Sequence, residues 1–493
     1  MPKRLLAKRT EGLGVKSLTG LVVGSMIGAG VFNLIRNTAD AAGPFATIIA
    51  WLITAIGMTF LILSFRNLNK KRPDLDAGIY SYAEAGFGKY VGFNSAWGYW
   101  ISAWLGNISY AVLLFASLGY FFPKLFEDGQ NWISVISMSV MLWGVHFLIL
   151  RGVRTAGIVN GLVTAAKVIP LGVFLLALVL AFKLDIFNSG FWGSGLTSFD
   201  LSGVFEQAKS MMLVTVWVFI GIEGAVIFSG RAKKRSDVVK ATFAGFALVL
   251  AMYALMTVLA FGVAKQPELA KLGDPAMAYL FESMVGKWGA VFVNIALIIA
   301  VFGGWLAWTM FAAELPYQAA KKKSFPALFA KENSVNAPVS ALLVTNILIQ
   351  LFFLTIPFTK GSVYNIGIAL STSMILIPYA LTAFYQLKYS LQEESSVAGR
   401  KFNIFVGVMS SLYAIWLIYA AGVNFLLVTV FLYAPAALVY TYMQVKNREK
   451  VFKVYELVIV VIVTLLFIYA LQQLLTGQLD ETLGINIAGL LGK

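Results

Sequence analysis

Thirteen long apolar runs, separated by short polar stretches, organise the chain: 18–42, 45–66, 91–122, 131–150, 157–182, 208–230, 239–264, 287–316, 338–357, 363–387, 402–421, 424–443 and 455–474. A helix needs about 20 apolar residues to cross the hydrocarbon core of a bilayer. These runs are of that order, and they lack the period-two alternation of barrel strands, so they predict helices. The pattern predicts an all-α polytopic membrane protein. The run 91–122 is long enough to tilt or to extend beyond the bilayer. Residues 1–16 are basic and lead into the first run without a clear small-residue cleavage site, so that run is read as a retained span.

The polar stretches alternate in charge. Those at 1–17, 66–89, 151–154, 231–240, 321–331, 388–401 and 446–453 hold 28 of the 38 Lys and Arg residues. The positive-inside rule then places the N-terminal segment 1–17 in the cytoplasm. With thirteen spans, the tail 475–493 is expected outside, as are the connections 183–207 and 265–286.

Composition sharpens this. Of 493 residues, 59% are hydrophobic and 12% charged. Soluble domains are about 45–50% apolar and about 25% charged. A net charge of +15 would suggest nucleic acid in a soluble protein. Here the bases record topology, and no nucleic-acid partner is expected. There is no Cys, one His (His146) and no GxxxxGK[ST] phosphate loop. These absences argue against a thiol or metal site, a cofactor, a nucleotide-driven pump and a membrane enzyme. No repeated filter motif suggests a channel.

A few exceptions interrupt the apolar runs. The first contains Gly24, Gly28 and Gly30, and the sixth contains Gly221-Ile222-Glu223-Gly224. Glycine is costly within a helix, so unwound backbone lining a cavity is the expectation. If 18–182 and 208–387 are repeats, the two breaks occupy matching spans, a pointer to a transporter's substrate site. Gly24-x3-Gly28 also fits close helix packing. Two charges lie inside runs, Glu223 and Lys167. Intramembrane charges are expensive and mark function by default. Arg36 is expected to pair with Asp40, four residues on.

These residues resemble a family. Gly28-Ala29-Gly30-Val31-Phe32 resembles the first-span signature of the amino acid–polyamine–organocation transporters. Trp217-x-Phe219-Ile220-Gly221-Ile222-Glu223-Gly224 resembles the sixth span of the basic amino acid and polyamine antiporter branch, and Tyr99-Trp100-x3-Trp104-x-Gly106-Asn107 its third span. Gly303-Gly304-Trp305 and Lys323-Ser324-Phe325-Pro326-x2-Phe329 resemble its eighth span and the following loop. The likeness covers about residues 15–445 and is strongest to the arginine/ornithine subgroup, which also shares a thirteenth span.

The resemblance implies two inverted five-helix repeats, 18–182 and 208–387, with discontinuous spans 1 and 6. Additional spans would occupy 402–474. It implies that backbone N–H groups of Ala29 and Gly30 hold a substrate carboxylate, chemistry that suits a half-helix N-terminus. Ala29 stands where a relative has Ser, so no hydroxyl assists. Carbonyls near Trp217 and Ile220 would meet the substrate ammonium. Tyr99, Asn107, Tyr110, Trp217, Trp305, Ser371 and Thr372 would surround the side chain or gate it, with tryptophan faces attracting a cation. Glu223 would carry a charge that depends on substrate or proton occupancy, and Lys167 would stand where sodium-coupled relatives hold the ion. The implied activity is plasma-membrane exchange of cationic amino acids, arginine for ornithine, with lysine a further candidate. Exchange of another amino acid for its decarboxylation product and proton-coupled symport are the alternatives.

Overall fold

The computed structural model describes residues 14–75, 79–151, 156–193, 195–222 and 235–484. All its regular elements are helical: α1 (Val15–Met26), α2 (Leu34–Ala41), α3 (Pro44–Lys71), α4 (Ile79–Phe87), α5 (Lys89–Phe121), α6 (Trp132–Leu150), α7 (Ala156–Ala181) and α8 (Leu201–Trp217). There follow α9 (Arg235–Ala260), α10 (Ala276–Val285), α11 (Lys287–Lys321), α12 (Val339–Phe353), α13 (Val363–Gln392), α14 (Arg400–Ala421), α15 (Val423–Lys446) and α16 (Val454–Leu475). Short helical turns connect several of them.

Ten helices among the described residues are long and apolar enough to cross a membrane, or eleven if the bent pair at the first run is one span. The fifth run appears as α7, whose stretch Ala166–Ala181 counts only as a shorter apolar helix, and the sixth begins as α8 and lies only partly within the described residues. Ten or eleven is thus the count among the described residues, and the expected thirteen is not confirmed.

Helices suit these runs because a bilayer offers the backbone no water, so N–H and C=O groups must pair within each segment. Their ends are set locally. Pro44 starts α3, where a missing N–H costs nothing. Asn131, Asp200 and Ser362 cap α6, α8 and α13, their side chains accepting from Ser134, Gly203 and Asn365 N–H.

α5 is the centre of the bundle. Its most apolar window is 94% buried, and it packs on α13, α11, α4 and α15. At the other extreme, the corresponding window of α16 is 11% buried and packs chiefly on α15. Buried hydrogen bonds join the helices: Trp100 Nε1 to Thr345 at 2.9 Å, Thr54 to Thr215 at 2.8 Å and Trp51 Nε1 to Thr257 at 2.8 Å. Each such bond is worth about 0.6–2 kcal/mol in a membrane.

At the α2 end, Arg36 does not pair with Asp40. Its guanidinium donates to Asp274 at 2.7 Å, and Asn33 Nδ2 donates to the same carboxylate at 2.6 Å. Asn33 Oδ1 also accepts from Ala276 N–H at the start of α10. The long-range partner wins because it ties α10 onto the bent first span with three polar contacts, whereas a local i,i+4 pair brings only about 0.3–0.5 kcal/mol.

Candidate functional site

The first run breaks after Met26. Ile27 and Gly28 leave helical geometry, a 3-10 turn covers Ala29–Asn33, and α2 resumes from Leu34 with a bend of 49°. A broken helix strands carbonyls on one side and N–H groups on the other. Two of the stranded carbonyls find donors here. Lys167 Nζ donates to Gly24 O at 2.9 Å, and the Tyr253 hydroxyl donates to Met26 O at 3.3 Å. A cation at the carbonyl end of a helix is favourably placed. The same ammonium lies against α11: a Cβ on Gly304 would come within 3.9 Å of it.

The sixth run also stops being helical. α8 ends at Trp217, and tight turns carry the chain through Val218–Ile222. The Trp217 carbonyl accepts from Ile220 N–H at 3.2 Å, leaving one lone pair for another donor. Gly221 has φ +104°, and a Cβ there would sit 2.9 Å from the Ser25 carbonyl, so the turn needs glycine. Ser25 Oγ donates to Gly221 O at 3.1 Å, which stitches the two breaks together. Glu223 lies outside the described residues.

Between the breaks is a narrow cavity of about 20 Å³. Gly28 and Gly30 line it from the first break, and Trp217, Val218 and Ile220 from the sixth. Ser102, Ala103, Gly106 and Tyr110 project from α5, Trp308 from α11 and Ser371 from α13. The aromatic walls approach the backbone closely. A Cβ on Gly30 would collide with the Trp217 indole, and one on Gly28 with the Tyr110 hydroxyl. The Tyr110 and Trp217 rings meet edge-on at 6.4 Å. Ser102 and Ser371 exchange hydrogen bonds with each other's carbonyls, both at 2.7 Å, and fix α5 against α13.

The expected residues divide into two groups. Gly30, Trp217, Ile220, Tyr110 and Ser371 line the cavity, and Ala29 lies beside Gly28 and Gly30 on the unwound turn. Four others do not line it. Trp305 is fully buried with its ring 6.4 Å from Phe353. Asn107 donates to Thr309 at 3.2 Å, Thr372 is buried, and Tyr99 packs edge-on against Phe311. None of these four is among the cavity-lining residues.

Ser102 and Trp308 are functional candidates that motif matching missed. A helical phase argument finds them. Ser102, Gly106 and Tyr110 recur every four residues on one face, while Asn107 is turned about 100° from Gly106. Trp308 lies four residues after Gly304, which abuts the Tyr110 ring. Among the described residues no acidic side chain lines the cavity. Among the described residues no group of His, Cys, Asp or Glu could hold a metal ion. A cationic ligand here would be held by indole faces, carbonyls and hydroxyls.

The amino acid permease family matches this chain across residues 13–468. The arginine/ornithine antiporter of Pseudomonas aeruginosa is 48% identical over 439 residues, covering 87% of this chain and 90% of the relative. A putative arginine/ornithine antiporter of Escherichia coli K12 is 44% identical over 434 residues, 87% and 92% of the two chains. The arginine/agmatine antiporter of Chlamydia abortus is 41% identical over 433 residues, 87% and 89%. With its bundle of membrane-length helices and its broken first span, this chain belongs to the amino acid permease family, a family of transporters and not of enzymes.

Proposed function

We propose that the protein exchanges cationic amino acids across the cell membrane, arginine for ornithine. The observation that carries this is the cavity between the two breaks, walled by Trp217 and Trp308 and lined by unwound backbone. An α-amino acid needs donors for its carboxylate, acceptors for its ammonium and a soft surface for its side chain. The N–H groups of Ala29 and Gly30 supply the first. The Trp217 and Ile220 carbonyls supply the second. The two indole faces supply the third, each worth about 0.5–2 kcal/mol to a desolvated cation. The likeness to three antiporters that all name arginine supports the substrate class.

Arginine and ornithine each carry one net positive charge at neutral pH, so one-for-one exchange moves no net charge. Alternating access would rock spans 1, 2, 6 and 7 against the rest, within repeats at 18–182 and 208–387 and with the N-terminus cytoplasmic. Trp308 takes the side-chain role expected of Trp305, because it is the indole on the cavity face. Glu223 would couple charge to occupancy. Lys167, bonded to the carbonyl end of α1, would supply a fixed positive charge and make sodium unnecessary. Lysine would compete through the same contacts.

The test is labelled arginine uptake into ornithine-loaded proteoliposomes, challenged with every amino acid and common amine. Arginine, ornithine and lysine should compete, while neutral and acidic amino acids should not. Strong competition by neutral amino acids would contradict the assignment. The Chlamydia relative favours a second reading, in which arginine exchanges for its decarboxylation product. Agmatine-loaded vesicles that outperform ornithine-loaded ones would select it.

A further inference from the structure

Beyond the cavity, the second half of the first span closes on a carboxylate. Gly30 lines the cavity, and Asn33 ends the same 3-10 turn. Three residues of such a turn rise about 6 Å, so Asn33 stands just past the cavity along the span. Its Nδ2 donates to Asp274 Oδ1 at 2.6 Å, and Arg36 in α2 donates to the same oxygen at 2.7 Å. Asn33 Oδ1 accepts from Ala276 N–H at 2.7 Å, and Gln266 Nε2 donates to Ala39 O at 2.9 Å. The segment 266–285 is thus laid along α2 and bonded to it. The Asp274 side chain is 16% exposed and that of Arg36 27%. A cavity of about 20 Å³ is too small for an amino acid, so the walls around it have to part to admit one. The positive-inside reading puts α2 on the outer side, where that parting separates Asp274 from both of these donors.

We propose that Asp274 is an outer recognition site for the substrate's side-chain cation, a guanidinium or an ammonium, and that Arg36 and the arriving substrate compete for its carboxylate. The proposal rests on the cationic amino acid reading above and adds a second site to it. When α2 parts from the 266–285 segment, Asp274 loses Asn33 and Arg36 together. A carboxylate with little access to water and no partner is costly. A substrate guanidinium offers the same planar fork that Arg36 offered, and an ammonium offers a compact charge. Among the described residues the cavity has no acidic side chain, so a carboxylate one turn outside it supplies selection by charge at the entrance. A neutral or acidic amino acid would leave Asp274 unpaired. Once the substrate moves inward, Arg36 returns to Asp274 and the span closes. The two residues therefore act in opposite senses on affinity from the outside, one receiving the cation and the other competing with it.

The experiment compares Asp274→Asn, Asp274→Glu and Arg36→Gln in the full-length protein, reading the KM of labelled arginine uptake into ornithine-loaded membrane vesicles, right-side-out and inverted. A symmetric size-exclusion peak of each purified variant checks the fold. In right-side-out vesicles Asp274→Asn should raise KM about tenfold, the scale of one charge-assisted hydrogen bond. Asp274→Glu keeps the charge and should stay within about threefold of the wild type. Arg36→Gln removes the competitor and should lower KM about threefold. In inverted vesicles Asp274→Asn and Arg36→Gln weaken the same closure, so their KM values should move together. Shifts of the same sign in right-side-out vesicles would overturn the proposal, since the pair would then only hold the span closed. An unchanged KM in Asp274→Asn, or a rise in Asp274→Glu as large as in Asp274→Asn, would overturn it as well. A wild-type protein that does not take up arginine at all would instead defeat the functional reading on which the proposal rests.

Discussion

Two tryptophans three residues apart carry the contrast between site and scaffold. Trp308 lines the cavity, and Trp305 is wholly buried against Phe353. Truncating each should fail differently. Trp308→Ala should lower kcat/KM for arginine exchange by about 5- to 30-fold, a cation–π contact of about 1–2 kcal/mol, with little change in melting temperature. Trp305→Ala should destabilise the fold by about 3–5 kcal/mol, as loss of a large buried ring does. Thermal unfolding in detergent beside transport kinetics separates the two; equal transport losses at equal stability would refute the assignment. Lys167 is a second single-residue test. Lys167→Met removes the donor to Gly24 O while keeping much of the volume. Exchange should fall at least about tenfold, since the carbonyl is stranded beside the break. Unchanged, sodium-independent exchange in this variant would reduce Lys167 to packing.

At the scale of elements, the broken first span was legible because three glycines in seven residues are costly in a helix; Gly28 and Gly30 lie on the unwound stretch, while Gly24 stays within α1. The end of α8 was signalled less directly. Gly221 marks the turn, yet the helix stops four residues earlier, at Trp217. Matching strings pointed to Asn107 and Trp305, whereas the cavity is lined by Gly106, one residue before the first, and Trp308, three residues after the second. The partner of Arg36 could not be read locally, because Asp274 lies 238 positions away. α16 offers an element-scale prediction. Its Glu456 is buried and accepts from Tyr90 N–H at 3.3 Å, in the first turn of α5, and from Lys453 N–H at 2.8 Å. Tyr455 donates to Phe87 O at 3.0 Å beside it. A carboxylate at a helix N-terminus is stabilising. Glu456→Ala should cost about 1–2 kcal/mol and speed proteolysis in the 447–453 linker, with the arginine KM unchanged. A raised KM with normal stability would mean that α16 shapes the site.

For the whole molecule, hydropathy settled the class of protein and basic loops suggested its orientation. Apolar runs do not say which of them form the centre. That role fell to α5, whose side chains meet helices on every side, and it holds most of the cavity's third-span wall. Only packing reveals such a position. The central claim is exchange, with a cavity that returns loaded. Its most direct measurement compares labelled arginine uptake into proteoliposomes holding ornithine with uptake into empty ones, in sodium-free buffer and without a proton gradient. The account predicts uptake that depends on internal ornithine and leaves the membrane potential unchanged. Equal uptake into empty vesicles, or uptake that appears only with an imposed proton or sodium gradient, would contradict it.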